Sequence, residues 1–292
     1  MPANRHDMAV AVGVDLGGTW MRLHATAGPR RLATWRRTAP PPARMIDALR
    51  AVWNQRGWRR RDVAALVIAS RGVWTAGERR ALARRLAPLA RRVLALSDAE
   101  AAALGALSGR PGVLLLAGTG SIAIGHDALG RWRRAGGLGP LLGDEGSAFW
   151  IGHEWIRATV DDGAPPARRI ARTPDAIARI AARAPAVLRA ARAGDRRARA
   201  IVREAQRHLA RLAASVVREL ALPAPVTVTW AGGLLADAWF RAGVRRALTR
   251  TGPPARWRTP RAPAVVAAAR LAAQLAAGAR PPAAPPGTAR RA

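Results

Sequence analysis

The chain has 292 residues, enough for one large domain or two lobes with a sizeable core. Its 49 Lys+Arg against 18 Asp+Glu give a formal charge of +31, and every one of those cations is arginine; lysine, cysteine and tyrosine are absent. Without lysine there is no Walker-type phosphate lysine, no Schiff-base lysine and no lysine general base. Without cysteine there are no disulfides, thiolate zinc sites or iron–sulfur ligands, and the redox compartment stays unread.

Arginine is spread through stretches that read as ordinary helices, such as residues 83–86 and 178–183. A nucleic-acid binder gathers its charge on one element and interleaves aromatics with it. The charge is therefore read as a coat that draws anions generally, and no specific nucleic-acid partner is expected. Residues 1–8 are polar, the apolar run 9–14 is too short for a signal peptide, and no stretch reaches the roughly 18–20 apolar residues of a membrane span. The expectation is a soluble, cytoplasmic protein with no membrane partner.

Residues 8–15 read as a buried strand ending in an acid, Gly17-Gly18 as a tight turn, and residues 20–26 as the returning strand of a hairpin. Pro40-Pro41-Pro42 is a loop ahead of a helix over about 43–55. A buried strand over 63–69, a helix over 77–90, a short strand over 93–96 and an alanine-rich helix from Asp98 to about 107 follow. Ser108-Gly109-Arg110-Pro111-Gly112 is turn chemistry and marks a lobe boundary.

A second set then begins, with a strand over 113–117, a turn over 118–120 and a strand over 121–125. A helix over 147–160 leads to two Arg/Ala-rich helical stretches, 174–192 with a break or kink near Pro185, and 195–220. A strand over 226–230, a turn at Gly232-Gly233, a helix over 234–249 and a last helix over 263–277 complete the pattern. Residues 280–292, rich in Pro, Ala and Arg, read as a disordered tail. One glycine-turned hairpin opens each half, which predicts two similar α/β lobes with a nucleotide cleft between them.

Five motifs carry chemistry. In Asp15-Leu16-Gly17-Gly18-Thr19, glycines in the turn let backbone N–H groups approach phosphate oxygens, Thr19 adds a hydroxyl, and Asp15 can hold magnesium through water. Gly118-Thr119-Gly120-Ser121 repeats the same logic after a second apolar strand. Either loop alone is a common turn; two of them at the starts of two halves form a pattern. Asp98, in Ser97-Asp98-Ala99-Glu100, reads as a helix N-cap or as a general base taking a proton from an attacking hydroxyl. The run from Ala135 to Ser147 packs five glycines with Asp144-Glu145, which suits contact with sugar hydroxyls or metal-bound water, and equally a strained turn with an N-cap pair. Gly232-Gly233 between a strand and a helix suits close approach of an adenosine, or is a plain turn. His6, His24, His126, His153 and His208 show no ligand spacing.

In this order the five motifs resemble the actin-like sugar-kinase superfamily with its ribonuclease H-like lobes, and within it the BadF/BadG/BcrA/BcrD ATPase family, which includes N-acetylglucosamine and glucosamine kinases. The resemblance covers about residues 9–277 and is most specific at Ala117-Gly118-Thr119-Gly120-Ser121-Ile122-Ala123 and Gly143-Asp144-Glu145-Gly146-Ser147. It implies a first lobe over 1–109, a second over 110–262, a helix over 263–279 returning to the first lobe, and the tail. It further implies ATP and Mg2+ as cofactors. The phosphates would be held by Gly17, Gly18, Thr19, Gly118, Thr119, Gly120 and Ser121, and the adenosine by Gly232 and Gly233. Asp98 would be the base, Asp15 the metal-side acid, and Asp98, Thr119, Gly137 and Asp144 the contacts to a small sugar.

Three departures from the family's pattern are visible. Leu138 stands where tryptophan is usual, Trp20 where lysine is usual, and the asparagine-bearing sugar loop has no match between Gly28 and Pro42. The missing cysteines set the chain apart from the dehydratase-activator branch and from ROK kinases with their cysteine-rich zinc motif. The resulting expectation is an ATP-dependent amino-sugar or hexose kinase. The rival is an ATP-binding sensor on the same scaffold, and a homodimer is left open.

Overall fold

The computed structural model describes residues 9–17, 20–159, 170 and 172–279. Gly18, Thr19 and the 280–292 tail lie outside the described residues. The chain divides into two compact units, the first made of residues up to Arg110 and from Arg261 onward, the second of Pro111–Pro260.

The first unit contains β1 (Val10–Leu16), β2 (Trp20–Ala27), β3 (Arg30–Thr38), α1 (Met45–Arg56), β4 (Val63–Ser70), α2 (Ala76–Leu86), β5 (Arg92–Ser97) and α3 (Asp98–Leu107), with the last helix of the chain, α10 (Ala264–Ala276), packed among them. Its sheet runs β3-β2-β1-β4-β5, antiparallel across β1–β2–β3 and parallel across β1–β4–β5. β1 and β4 are buried on both faces, as their unbroken apolar runs predict. β2 alternates between buried and half-buried, with Met21, Leu23 and Ala25 turned into the core. α10 lies so close over β1 that a Cβ on Gly13 would sit 2.2 Å from the Ala269 nitrogen. Gly13→Ala is therefore expected to lower the melting temperature and to cost about 1–3 kcal/mol, read by thermal unfolding.

The second unit contains β6 (Gly112–Ala117), β7 (Ser121–His126), β8 (Trp132–Gly136), α4 (Ala148–Thr159), α5 (Ala176–Ala181), α6 (Ala184–Ala193), α7 (Arg196–Leu220), β9 (Val226–Ala231), α8 (Gly233–Ala236), α9 (Ala238–Thr251) and β10 (Ala255–Trp257). The sheet order β10-β9-β6-β7-β8 is the first unit's order repeated, with β6, β1's counterpart, again central: three antiparallel strands, then two parallel ones. α7 buries an Ala/Val/Leu stripe including Val202, Leu209 and Leu220, while Arg203, Arg207, Arg211 and Arg218 stay exposed. That division is the expected arginine coat in one element. No helix among the described residues is long and apolar enough to cross a membrane.

Several sequence expectations are corrected. β3, β8 and β10 are strands that the sequence pattern does not predict, because they carry arginines or are very short. The helix expected over 77–90 ends at Leu86 and closes in a 3-10 turn, Ala87–Leu89, because Pro88 supplies no backbone N–H. The break expected near Pro185 is present: α5 ends at Ala181 and α6 starts at Ala184, with Pro185 in its first turn, where its missing donor costs nothing. The helix expected over 234–249 is two helices, because Asp237 caps α9 by accepting from the Phe240 N–H at 2.9 Å. Gly233 is the first residue of α8, so only Gly232 remains a turn residue there.

Candidate functional site

In the first unit the acids lie at the carboxyl ends of parallel strands, the edge where open α/β sheets bind ligands. Asp15 is the penultimate residue of β1. Its cross-strand partner is Arg22, whose Nη1 donates to Asp15 Oδ2 at 2.9 Å. Burial pushes the Asp15 carboxyl above its ordinary range, and Arg22 pulls it part of the way back. Gly17 donates its N–H to the Trp20 carbonyl at 3.0 Å, closing the base of the first loop.

Asp98 follows β5 as the first residue of α3. The N-cap expected at Asp98 is instead Ser97: Ser97 Oγ accepts from the Glu100 N–H, and Glu100 Oε2 accepts from the Ser97 N–H. Asp98 is thus released from capping. Its Oδ1 accepts from the Ala99 N–H at 2.9 Å. Burial pushes its pKa up, the Asp15 charge adds to that push, and the Ala99 N–H and Arg71 oppose it. A half-buried carboxylate with a raised pKa at a strand-to-helix junction suits proton transfer near neutral pH.

The second unit gathers its motif around Ser121. The Gly118–Gly120 turn joins β6 to β7, and the Gly118 N–H is spent on the Gly120 carbonyl. The Ser121 N–H donates to Asp144 Oδ1 at 3.1 Å, its Oγ to the Glu145 carbonyl at 2.8 Å, and its carbonyl accepts from the Gly137 N–H at 2.9 Å. Of the four residues expected to cradle phosphate here, the Gly118 and Ser121 N–H groups are therefore already bonded. The Thr119 and Gly120 N–H groups and the Thr119 hydroxyl take no bond among the described residues, which leaves them to meet an anion.

Asp144 adopts a left-handed φ of 65° and is buried, with desolvation and the neighbouring Glu145 raising its pKa. A Cβ on Gly120 would come within 2.7 Å of its Oδ2. The carboxylate thus braces the turn, and the expected N-cap pair is corrected: Ser147 Oγ accepts from Trp150 N–H and serves α4 instead. Gly137, at φ 71°, packs on Ile122. Beyond it the loop presents Leu138, Leu141 and Leu142 to solvent.

A cavity of about 730 Å³ opens beside Gly118 and Thr119, a volume that suits a nucleotide. Gly233 and Leu234 line one side, Ala178, Ala182, Pro185 and Leu188 the other, and Arg189 and an Arg192–Asp237 ion pair lie at its polar margin. Gly233 has open space where a Cβ would stand, so a flat ligand can reach bare backbone. Arg22, Ser97 and Glu100 are site residues that the sequence reading missed. Strand register joins Arg22 to Asp15, and the S-x-x-E capping-box spacing was the available signal for Ser97.

For a magnesium ion the donor set is hard carboxylate oxygen, with Asp15 offering the oxygen that Arg22 leaves free. No group of three or more His, Cys, Asp or Glu that could hold a metal exists among the described residues. The fit is to an ion carried chiefly by water and phosphate oxygens.

Repeated sheets of this order, each opened by a glycine-turned hairpin and with acids at strand ends, define the actin-like class of α/β proteins. The chain belongs to the BadF/BadG/BcrA/BcrD ATPase family, whose model matches residues 12–268. It is 41% identical over 69 residues to an N-acetylmuramic acid/N-acetylglucosamine kinase of Clostridium acetobutylicum, covering 24% of this chain and 22% of that one. It is 48% identical over 46 residues to an N-acetyl-D-glucosamine kinase of Dictyostelium discoideum, covering 16% and 14%. The chain therefore matches less than a quarter of the length of either curated relative. Among solved structures, a protein assigned as an N-acetylglucosamine kinase from Chromobacterium violaceum aligns at TM-score 0.65 and 25% identity, over 91% of this chain and 99% of that one. A ROK family glucokinase from Streptomyces griseus, in complex with glucose and AMPPNP, aligns at TM-score 0.58 and 20% identity over 91% and 100%; that likeness shows the fold alone.

Proposed function

We propose that this protein is an ATP-dependent phosphotransferase that phosphorylates N-acetylglucosamine, glucosamine or a related hexose, with Asp98 as the general base. The observation that carries the reading is Asp98 itself: a desolvated carboxylate that the Ser97 cap leaves free, in a family of ATPases. The relatives' names support a sugar as acceptor.

In the reaction, Asp98 takes the proton of the attacking hydroxyl as the new oxygen–phosphorus bond forms and the bond to the leaving ADP oxygen breaks. The Thr119 and Gly120 N–H groups and the Thr119 hydroxyl meet the charge of the nucleotide's phosphates. Gly17, Gly18 and Thr19 form the matching first phosphate loop, and Gly232-Gly233 the adenosine contact. Asp144 and Gly137 hold the sugar-side loop on Ser121. A magnesium ion, when bound, supplies charge neutralisation on the phosphates. With no lysine in the chain, arginine and backbone N–H groups carry all other cationic work.

The nucleotide cavity gives a direct test. Ala182 lines it and is exposed, so Ala182→Trp is accommodated by the fold while filling the slot. Calorimetric titration is expected to give ATP binding weakened about tenfold or more, with the melting temperature unchanged. ATP affinity equal to wild type would move the nucleotide elsewhere.

A further inference from the structure

Arg79 lies on α2, buried, 21 positions before Glu100 of α3. Its Nη2 donates to Glu100 Oε1 at 2.8 Å and to the Trp74 carbonyl at 3.2 Å, while its Nε and Nη1 are buried without a hydrogen-bond partner. Glu100 is buried too, and its second oxygen accepts from the Ser97 N–H at 2.8 Å. One carboxylate therefore ties the guanidinium of α2 to the backbone N–H of Ser97, the residue immediately before Asp98.

The capping box needs only an acceptor on residue 100, which a neutral glutamine would supply. A buried ion pair with two unbonded donors is an expensive way to stabilise a helix start, because desolvation of both charges offsets most of their attraction. What the pair adds is a fixed position for the Ser97–Asp98 backbone. Burial clamps the Glu100 side chain between two partners on different elements. Arg71 acts on the Asp98 carboxyl by its charge, whereas the link from Arg79 to Asp98 runs through the Glu100 and Ser97 hydrogen bonds.

We propose that Arg79, acting through Glu100 and the Ser97 peptide, is a positioning residue that holds Asp98 in its reactive orientation. The inference rests on the kinase reading above.

The test compares Arg79→Met, Arg79→Lys and the double variant Arg79→Met/Glu100→Gln with wild type and with Asp98→Asn, in sugar-dependent ADP release and thermal unfolding. The double variant keeps the capping acceptor and leaves no unpaired buried charge, so it stays folded even if Arg79→Met alone does not. The expected result is a kcat lowered about 10- to 100-fold in the double variant, because a catalytic group displaced by an ångström loses that much. KM for ATP and sugar stay at the wild-type values, the acid limb of the pH profile does not move, and Arg79→Lys restores part of kcat. A double variant that is folded and has wild-type kcat overturns the proposal, since the pair would then only stabilise. An Asp98→Asn enzyme as active as wild type overturns the base assignment and this inference together. Full activity in the double variant beside an inactive Asp98→Asn overturns this inference alone.

Discussion

Asp98→Asn is expected to lower kcat by about 10²–10⁴-fold, the range a positioned general base contributes, while ATP binding stays near wild type. The same substitution is expected to raise stability. Burial and the Asp15 charge lift the folded-state pKa of Asp98, so the native state holds this carboxyl's proton more tightly than the unfolded chain does. The sign follows by linkage: stability falls as pH rises through the unfolded-state pKa, and the full penalty applies above the folded-state pKa. Removing the charge relieves it. Thermal unfolding at neutral pH should give a higher melting temperature for Asp98→Asn than for wild type, with the difference vanishing in acid. In the wild type, kcat should fall with decreasing pH along a limb displaced upward from an ordinary aspartate. An unchanged kcat, or a melting temperature lowered at neutral pH, would contradict the account.

The second large effect separates two adjacent glycines. Gly232 has φ 92°, and a Cβ there would stand 2.2 Å from the Ala117 carbonyl oxygen and 3.0 Å from the Gly118 nitrogen. Gly232→Ala must therefore both strain its own backbone and displace the strand that leads into the second phosphate loop. The backbone cost is about 1–2 kcal/mol and the overpacking about 1–3 kcal/mol, so a combined loss of about 3 kcal/mol is expected in unfolding experiments. Gly233, one residue on, sits in helical conformation with open space at the Cβ position. Gly233→Ala should leave the melting temperature nearly unchanged yet weaken ATP binding, because the methyl group would occupy the place proposed for the adenosine. If both variants behave alike, this turn has only a structural role.

What the sequence revealed and what it hid divide along physical lines. β1, β4 and β6 were readable because strands buried on both faces must be continuous apolar runs. The glycine turns were readable because a positive φ or a close backbone approach restricts residue choice. β3 was not, since an edge strand in an arginine-coated protein exposes residues such as Arg30, Arg31 and Arg36 and loses its alternation. The pairing of Asp15 with Arg22 follows from the register of β1 on β2, which fixes partners that no local pattern names. The same holds for Arg79 with Glu100, brought together by packing of α2 against β5, and for Ser121, whose three bonds reach residues 16 to 24 positions away. The role of Asp98 was half legible: its place after a strand was plain, but only the Ser97–Glu100 bonds free it from capping.

The charge excess that dominates the composition describes the surface, where arginines on α7 face solvent, whereas the proposed chemistry rests on the few acids at strand ends and glycine turns. The measurement that tests the central reading most directly is ATP turnover with and without glucosamine, N-acetylglucosamine and glucose, with the sugar product followed by phosphorus NMR. The account predicts that at least one of these sugars stimulates ADP release, with one sugar phosphate formed per ADP. Tight ATP binding with ADP release that no sugar stimulates would contradict it and would mark the protein as an ATP-binding sensor on a kinase scaffold.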